Sequence, residues 1–134
     1  MKKLQLLMLA LLLSITGQCF GEWKYSGATD TDRFYIDFSR IKTEGRYKSM
    51  WYLADFKTPQ TNSAGKSFKS EVIKLMVDCQ ASRTQEVAFF SYSEQMGAGK
   101  VVDSGSSPIK ESEWGYEAPN SIGDGFIKAA CGRK

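Results

Sequence analysis

The stretch FKSEVIKLMVDC, residues 68–79, carries the clearest strand pattern in the chain. Side chains of a β-strand point alternately to its two faces, so residues two positions apart share a face. One face takes three apolar side chains and a cysteine: Ile73, Leu75, Val77 and Cys79. The opposite face takes polar side chains: Ser70, Lys74 and Asp78. We therefore predict a strand with one buried face, on which Cys79 points inward.

Turn-forming residues divide the rest of the chain into further strand-like runs. Strands are predicted over residues 23–26, 33–37, 47–56 and 83–93, with a short further strand at 101–102. The run at 83–93, rich in Val, Phe and Tyr, is the predicted antiparallel partner of residues 68–79. A short connection is expected at 41–45 and loops at 58–66, 95–100 and 103–113.

One helix is predicted near the end of the chain. Ser121 and Asp124, three residues apart and just after Pro119, resemble a capped helix start. Apolar side chains then follow near helical spacing: Ile122, Phe126, Ala129 or Ala130, and Cys131. Gly132 can end the helix. Glycines at 123 and 125 each cost about 1 kcal/mol relative to alanine, so the helix needs tertiary contacts.

The first 21 residues have the layout of a secretory signal peptide. Lys2 and Lys3 precede an apolar run over residues 4–15, and small residues flank a cleavage point after Gly21. That run is shorter than the roughly 20 residues that span a bilayer. We predict export to the periplasm or the outer surface of a bacterium, with residues 22–134 as one domain. A retained anchor is the alternative, and membrane attachment otherwise requires lipidation of Cys19, whose preceding residues fit that signal poorly.

Cleavage after Gly21 leaves two cysteines, Cys79 and Cys131. In an oxidising compartment these are expected to form a disulfide. On the chain-entropy account the bond stabilises the fold by about 4 kcal/mol. Two separate buried thiols are the alternative.

The residue inventory argues against catalysis. The chain has no histidine, which removes the usual general base and the usual transition-metal ligand. We predict no catalytic residues, no cofactor and no metal site, and a protein that works by binding. A hydrolase that uses acidic residues alone is the enzymatic alternative. The 18 Lys and Arg, less Lys2 and Lys3, nearly balance the 15 Asp and Glu, so no nucleic-acid partner is expected.

A basic and aromatic stripe is the candidate partner-binding feature. It comprises Lys66, Phe68, Lys69, Lys74 and Arg83. Cations beside aromatic rings suit a protein partner, and a solvated strand face is the alternative reading. Alternation places Lys69 with Ile73 and Lys74 with Phe68, so the stripe cannot form one patch.

Several short motifs resemble, in their order, the bacterial surface-adhesin protein E family. They are Phe34-Tyr35-Ile36-Asp37 with Ile41, Trp51 with Asp55, Asp78-Cys79, Tyr92 with Met96-Gly97-Ala98-Gly99, Trp114, Pro119 and Ala130-Cys131. The resemblance covers nearly all of residues 22–134.

The resemblance implies an α+β fold. It would be a twisted antiparallel sheet of about six strands, with a C-terminal helix tethered to the concave face by the disulfide. It also implies a surface protein that binds host matrix or serum glycoproteins such as vitronectin and laminin. The binding segment of the family corresponds here to Lys66, Phe68, Lys69, Lys74 and Arg83. A periplasmic accessory or structural protein is the alternative, and an exposed sheet edge could support a homodimer.

Overall fold

Six long strands pair side by side in the order in which they occur along the chain. The computed structural model describes residues 22–133, and the predicted signal peptide with Cys19 lies outside the described residues. The strands are β1 (Trp23–Ala28), β2 (Asp32–Glu44), β3 (Tyr47–Thr61), β4 (Ser67–Asp78), β5 (Arg83–Tyr92) and β6 (Val101–Ser106). Every neighbouring pair is antiparallel, so the sheet is a simple meander. The predicted α+β class and the pairing of β4 with β5 are confirmed.

The register of the central strands separates two faces of the sheet. On the helix face, Tyr52 of β3 lies opposite Ile73 of β4. On the other face, which we call the open face, Trp51 lies opposite Lys74. The inward set predicted for β4 lies on the helix face, where it packs in the hydrophobic core with Cys79 at its edge.

One helix, α1 (Ile122–Cys131), covers the helix face. The side chain of Ser121 accepts a hydrogen bond from the Asp124 amide at 3.1 Å, as the predicted cap requires. Gly132 ends the helix in the left-handed conformation, with φ of 65°. A ten-residue helix with two internal glycines is marginal by itself. Tertiary contacts therefore hold it.

Those contacts are an aromatic cluster and a disulfide. The ring of Phe126 stacks on Tyr52 with centroids 4.4 Å apart and meets Phe34 edge-on at 6.3 Å. Cys79 and Cys131 are bonded, with Cα atoms 5.8 Å apart. The helix is therefore fixed to the end of β4 at one end and to the middle of the sheet by its buried ring.

The structure corrects the predicted C-terminal ends of three strands, β2, β3 and β6. The connection predicted at 41–45 is mostly strand, because β2 runs to Glu44 beyond a shift of pairing after Asp37. β3 runs to Thr61 and contains Pro59, which lies where the β3–β4 pairing is interrupted and no ladder N–H is needed.

The predicted loop at 103–113 begins as strand instead. β6 extends to Ser106, and its Gly105 lies directly opposite Phe89, whose ring fills the space that a side chain would need. A two-residue strand, β7 (Gly115–Tyr116), pairs with the start of β5. Neither segment has the apolar alternation by which a strand is recognised. Within residues 22–133, no helix has the length and apolar character needed to cross a membrane.

Candidate binding surface

Two of the predicted partner-binding residues lie together at the start of β4 but differ in exposure. Lys66 is exposed in the β3–β4 turn, where the Asn62 side chain accepts hydrogen bonds from two backbone amides of the turn. Phe68 is only 9% exposed, and its ring packs edge-on against Phe56 at 5.6 Å. Lys66 is therefore available to a partner, whereas Phe68 stabilises the fold.

The two lysines within β4 lie on opposite faces, as their spacing predicts, and both form ion pairs. The Nζ atom of Lys69 lies 3.3 Å from Oε2 of Glu94, and the Nζ atom of Lys74 lies 3.0 Å from Oε1 of Glu44. Hydrogen bonds from Lys74 and Ser49 lower the pKa of Glu44. Exposed pairs of this kind contribute little to stability, so both ammonium groups can exchange their partners at small cost.

Arg83 is held on several sides. Its guanidinium lies 3.0 Å from Asp78 and 2.7 Å from Glu111, and it stacks over the Trp114 ring at 4.8 Å. Hydrogen bonds to Glu111 and then Asp78 raise its pKa. Burial opposes ionisation of Asp78, but hydrogen bonds from Arg83 and the backbone amide of Ala81 outweigh it and lower the pKa of that carboxyl. Arg83 thus fastens the segment before β7 to the sheet.

A row of aromatic rings crosses the open face at its middle. We define the aromatic strip as the following residues: Trp23, Tyr25, Tyr35, Trp51 and Phe90. The rings of Trp51 and Phe90 are 6.2 Å apart, and those of Tyr25 and Tyr35 meet edge-on at 5.7 Å. Tyr25 is 63% and Phe90 37% exposed. Lys74 stands beside Trp51 on the adjacent strand.

The β5–β6 connection covers one end of the open face. The Met96 amide donates to the Asp55 carboxylate at 2.8 Å, and the Gly97 amide donates to the Ser70 hydroxyl at 2.9 Å. Gly97 then lies against Leu53 and Val72, close enough that a side chain would crowd both. This connection buries Asp55 and Ser70 without leaving them unpaired.

The segment after β6 covers the other end. The Gln85 side chain donates to the Lys110 carbonyl at 2.7 Å and accepts from the Lys110 amide at 2.8 Å. The Gln85 side chain is buried, and these two hydrogen bonds to the Lys110 backbone satisfy its polar atoms. Between these two covered ends, the aromatic strip and Lys74 remain exposed or partly exposed.

Alternation in the sequence reveals only part of this surface. It assigns Ser70 and Lys74 to the same polar face, but their environments differ: Ser70 is fully buried and Lys74 partly exposed. The strip itself comes from four strands, and its members are recognisable only once the register is known. Within the part of the chain that the structure describes, no group of three or more His, Cys, Asp or Glu side chains is arranged to hold a metal ion.

Comparison with known proteins gives a family and a fold. The family model described as Surface-adhesin protein E matches residues 23–132. Among solved structures, the chain is similar to Haemophilus influenzae protein E, with a TM-score of 0.57 and 13% identity over 80% of this chain and 88% of that one. A second crystal form of that protein gives a TM-score of 0.58 and 11% identity over 80% and 91% of the two chains. No curated protein gives a significant match.

Proposed function

Because the chain belongs to the surface-adhesin protein E family, we propose that it acts at the bacterial surface by binding a host matrix or serum glycoprotein through the open face of its sheet. Vitronectin and laminin, which the family resemblance implies, are the first ligands to test. The observation that carries this proposal is the aromatic strip, in which Tyr25 and Phe90 are exposed and the other three rings are partly exposed. Its function is contact rather than turnover.

The physical support for a binding role is the composition of the strip. Exposed apolar surface is costly to keep in water, and contiguous patches of it commonly mark interaction sites. Tyrosine and tryptophan are also among the residues that contribute most to protein interfaces, because a rigid ring buries a large area at low entropic cost. Lys74, beside Trp51, adds a cation that can pair with an acidic group of the partner.

The five residues of the predicted stripe take different roles in this proposal. Lys74 is the cation beside the strip, whereas Lys66 lies in the β3–β4 turn and Lys69 on the opposite face of β4, so both lie outside the aromatic strip. Phe68 acts indirectly by packing the start of β4 against β3, and Arg83 acts indirectly by holding the cover after β6 in place. Substituting either of these two would change the shape of the surface rather than remove a contact.

A matched set of exposed aromatic substitutions tests the proposal. Tyr25→Ser combined with Phe90→Ser removes the two most exposed rings of the strip, whereas Tyr116→Ser removes a 74% exposed ring on β7 outside it. In binding to immobilised vitronectin and laminin, the strip variant should lose about tenfold or more in affinity. The Tyr116 variant should bind like the wild type, and melting curves should show that both variants are folded at the temperature of the binding assay. Equal binding by both variants would overturn the assignment of the open face.

Location is tested separately. An antibody should label intact cells as strongly as permeabilised ones if the protein reaches the outer surface. Labelling of permeabilised cells alone would favour the periplasmic accessory role instead. The mass of the native protein tests cleavage after Gly21 and lipidation of Cys19, and its sedimentation tests a homodimer through the free edge of β1.

A further inference from the structure

A cleft opens on the helix face, on the opposite side of the sheet from the aromatic strip. Its volume is about 500 Å³, which lies within the usual range of small-molecule pockets. It lies between the first turn of α1, the start of β5 and the residues around β7. Aromatic and aliphatic side chains line its inner part: Phe34, Tyr52, Ile122 and Phe126.

Three carboxylates are also among the residues that line this cleft, and no lysine or arginine is. They are Glu86, Glu113 and Glu117. Glu113 forms an ion pair with Lys110, with Oε1 and Nζ 3.0 Å apart. Glu86 and Glu117 form no ion pair within residues 22–133. Two negative charges beside an apolar wall are therefore left without a counterion from the described chain.

Each unneutralised carboxylate is held in place by one neutral hydroxyl. The Tyr52 hydroxyl donates to Glu86 at 2.6 Å, and the Thr84 hydroxyl donates to Glu117 at 2.8 Å. Burial, and then the negative charge of Glu86, raise the pKa of Tyr52, so the phenol remains a neutral donor. These hydrogen bonds fix one oxygen of each carboxylate and leave the other oxygen to accept from a ligand.

The position of Glu117 also depends on the helix. Its carboxyl group occupies the space that a Cβ would take at position 123, and only glycine leaves that space free. The partial positive charge at the start of α1 favours a carboxylate there. The Glu117 carboxyl group is thus held against the first turn of α1.

We propose that this cleft binds an organic cation, an alkylammonium or guanidinium group carried on an aliphatic chain. The carboxylates supply charge complementarity, and the rings of the inner wall cover the methylene groups. The carboxylates are not grouped as metal ligands among the described residues, which favours an extended organic cation over a metal ion. This site is separate from the open face and does not depend on the proposed adhesin function.

The test is a titration of the isotope-labelled mature protein followed by amide NMR. The probes are N-acetyl-lysine methylamide, its uncharged analogue N-acetyl-norleucine methylamide, and putrescine. The two cations should cause saturable shifts at Gly115, Glu117 and Gly123, and the norleucine compound should not. Binding of the capped lysine alone would point to a protein-borne cation, and binding of putrescine alone to a free polyamine; either result supports the site.

Charge-removing variants then locate the site. Glu86→Gln with Glu117→Gln keeps both acceptors for Tyr52 and Thr84 and should weaken binding of the cations about tenfold or more. Glu94→Gln, which removes a carboxylate outside the cleft, should leave binding unchanged. If the double variant is unstable, Gly123→Ala should displace the Glu117 carboxyl and weaken the same titration. Equal binding of the norleucine compound, or full affinity in these cleft variants, would overturn the proposal.

Discussion

Removing the disulfide should cost a large share of the stability of this domain. The bond joins Cys79 to Cys131 across a sequence separation of 52. The chain-entropy relation for a closed loop of that size gives about 4 kcal/mol at 25 °C. Whole domains are stable by roughly 5–15 kcal/mol, so the variant Cys79→Ser with Cys131→Ser should remain folded but only marginally.

The assay is urea unfolding of this variant beside the oxidised wild type. A loss of about 4 kcal/mol corresponds to a fall in melting temperature of about 15–20 °C for a domain of this size. Limited proteolysis should cut first near the start or end of α1, because the glycine-weakened helix then depends only on the packing of its buried side chains, Phe126, Ile127 and Ala130. A loss below about 1 kcal/mol, together with unchanged protease resistance of the helix, would refute the view that the bond tethers it.

Three further outcomes are expected. Lys74→Glu, which reverses the cation beside Trp51, should weaken binding to a matrix glycoprotein, whereas Lys66→Glu with Lys69→Glu, outside the strip, should not; weakening by the second variant alone would place the binding surface elsewhere. Phe126→Ala should lower the free energy of unfolding, measured in urea, by about 3–5 kcal/mol, because it removes the buried ring that stacks on Tyr52 and leaves a cavity. A loss under about 1 kcal/mol would contradict that packing. Burial raises the pKa of Glu71 above its ordinary 4.5, so the ionised carboxyl costs stability above that pH and none below it. Glu71→Gln should therefore be more stable than the wild type in urea titrations at pH 7, with the difference shrinking as the pH falls toward about 4.5 and absent below it; a gain that is independent of pH would contradict this account.

Local signals in the sequence predict most of the framework. Alternation in residues 68–79 predicts the inward face of β4, and the pair Ser121 and Asp124 predicts the start of α1. The two cysteines of the predicted mature chain identify the disulfide. The match over residues 23–132 confirms the family that the ordered motifs resemble. Each of these signals spans a few residues or depends on a simple pairing, which is why they can be recognised without a structure.

The surfaces are harder to predict because their partners are distant in the chain. The buried Asp55 carboxylate accepts a hydrogen bond from an amide 41 residues away, and the buried Gln85 side chain bonds to backbone groups 25 residues away. Tyr52 meets Glu86 across 34 residues. Polar side chains of this kind look solvated in the sequence, and only the register and the two covers show which of them are enclosed. The extension of β6 from the predicted 101–102 to Ser106 is missed for a related reason, since its polar residues resemble a loop.

The order of strand pairing has a consequence for how the chain reaches its native state. Each long strand pairs with the next one along the chain, so most of the sheet can form by successive closure of adjacent hairpins. Docking of the terminal helix is the step that closes the longest stretch of chain. Hairpins form in microseconds, whereas disulfide formation takes seconds or longer. We therefore expect the sheet to assemble first and oxidation of the two thiols to be the last and slowest step of folding.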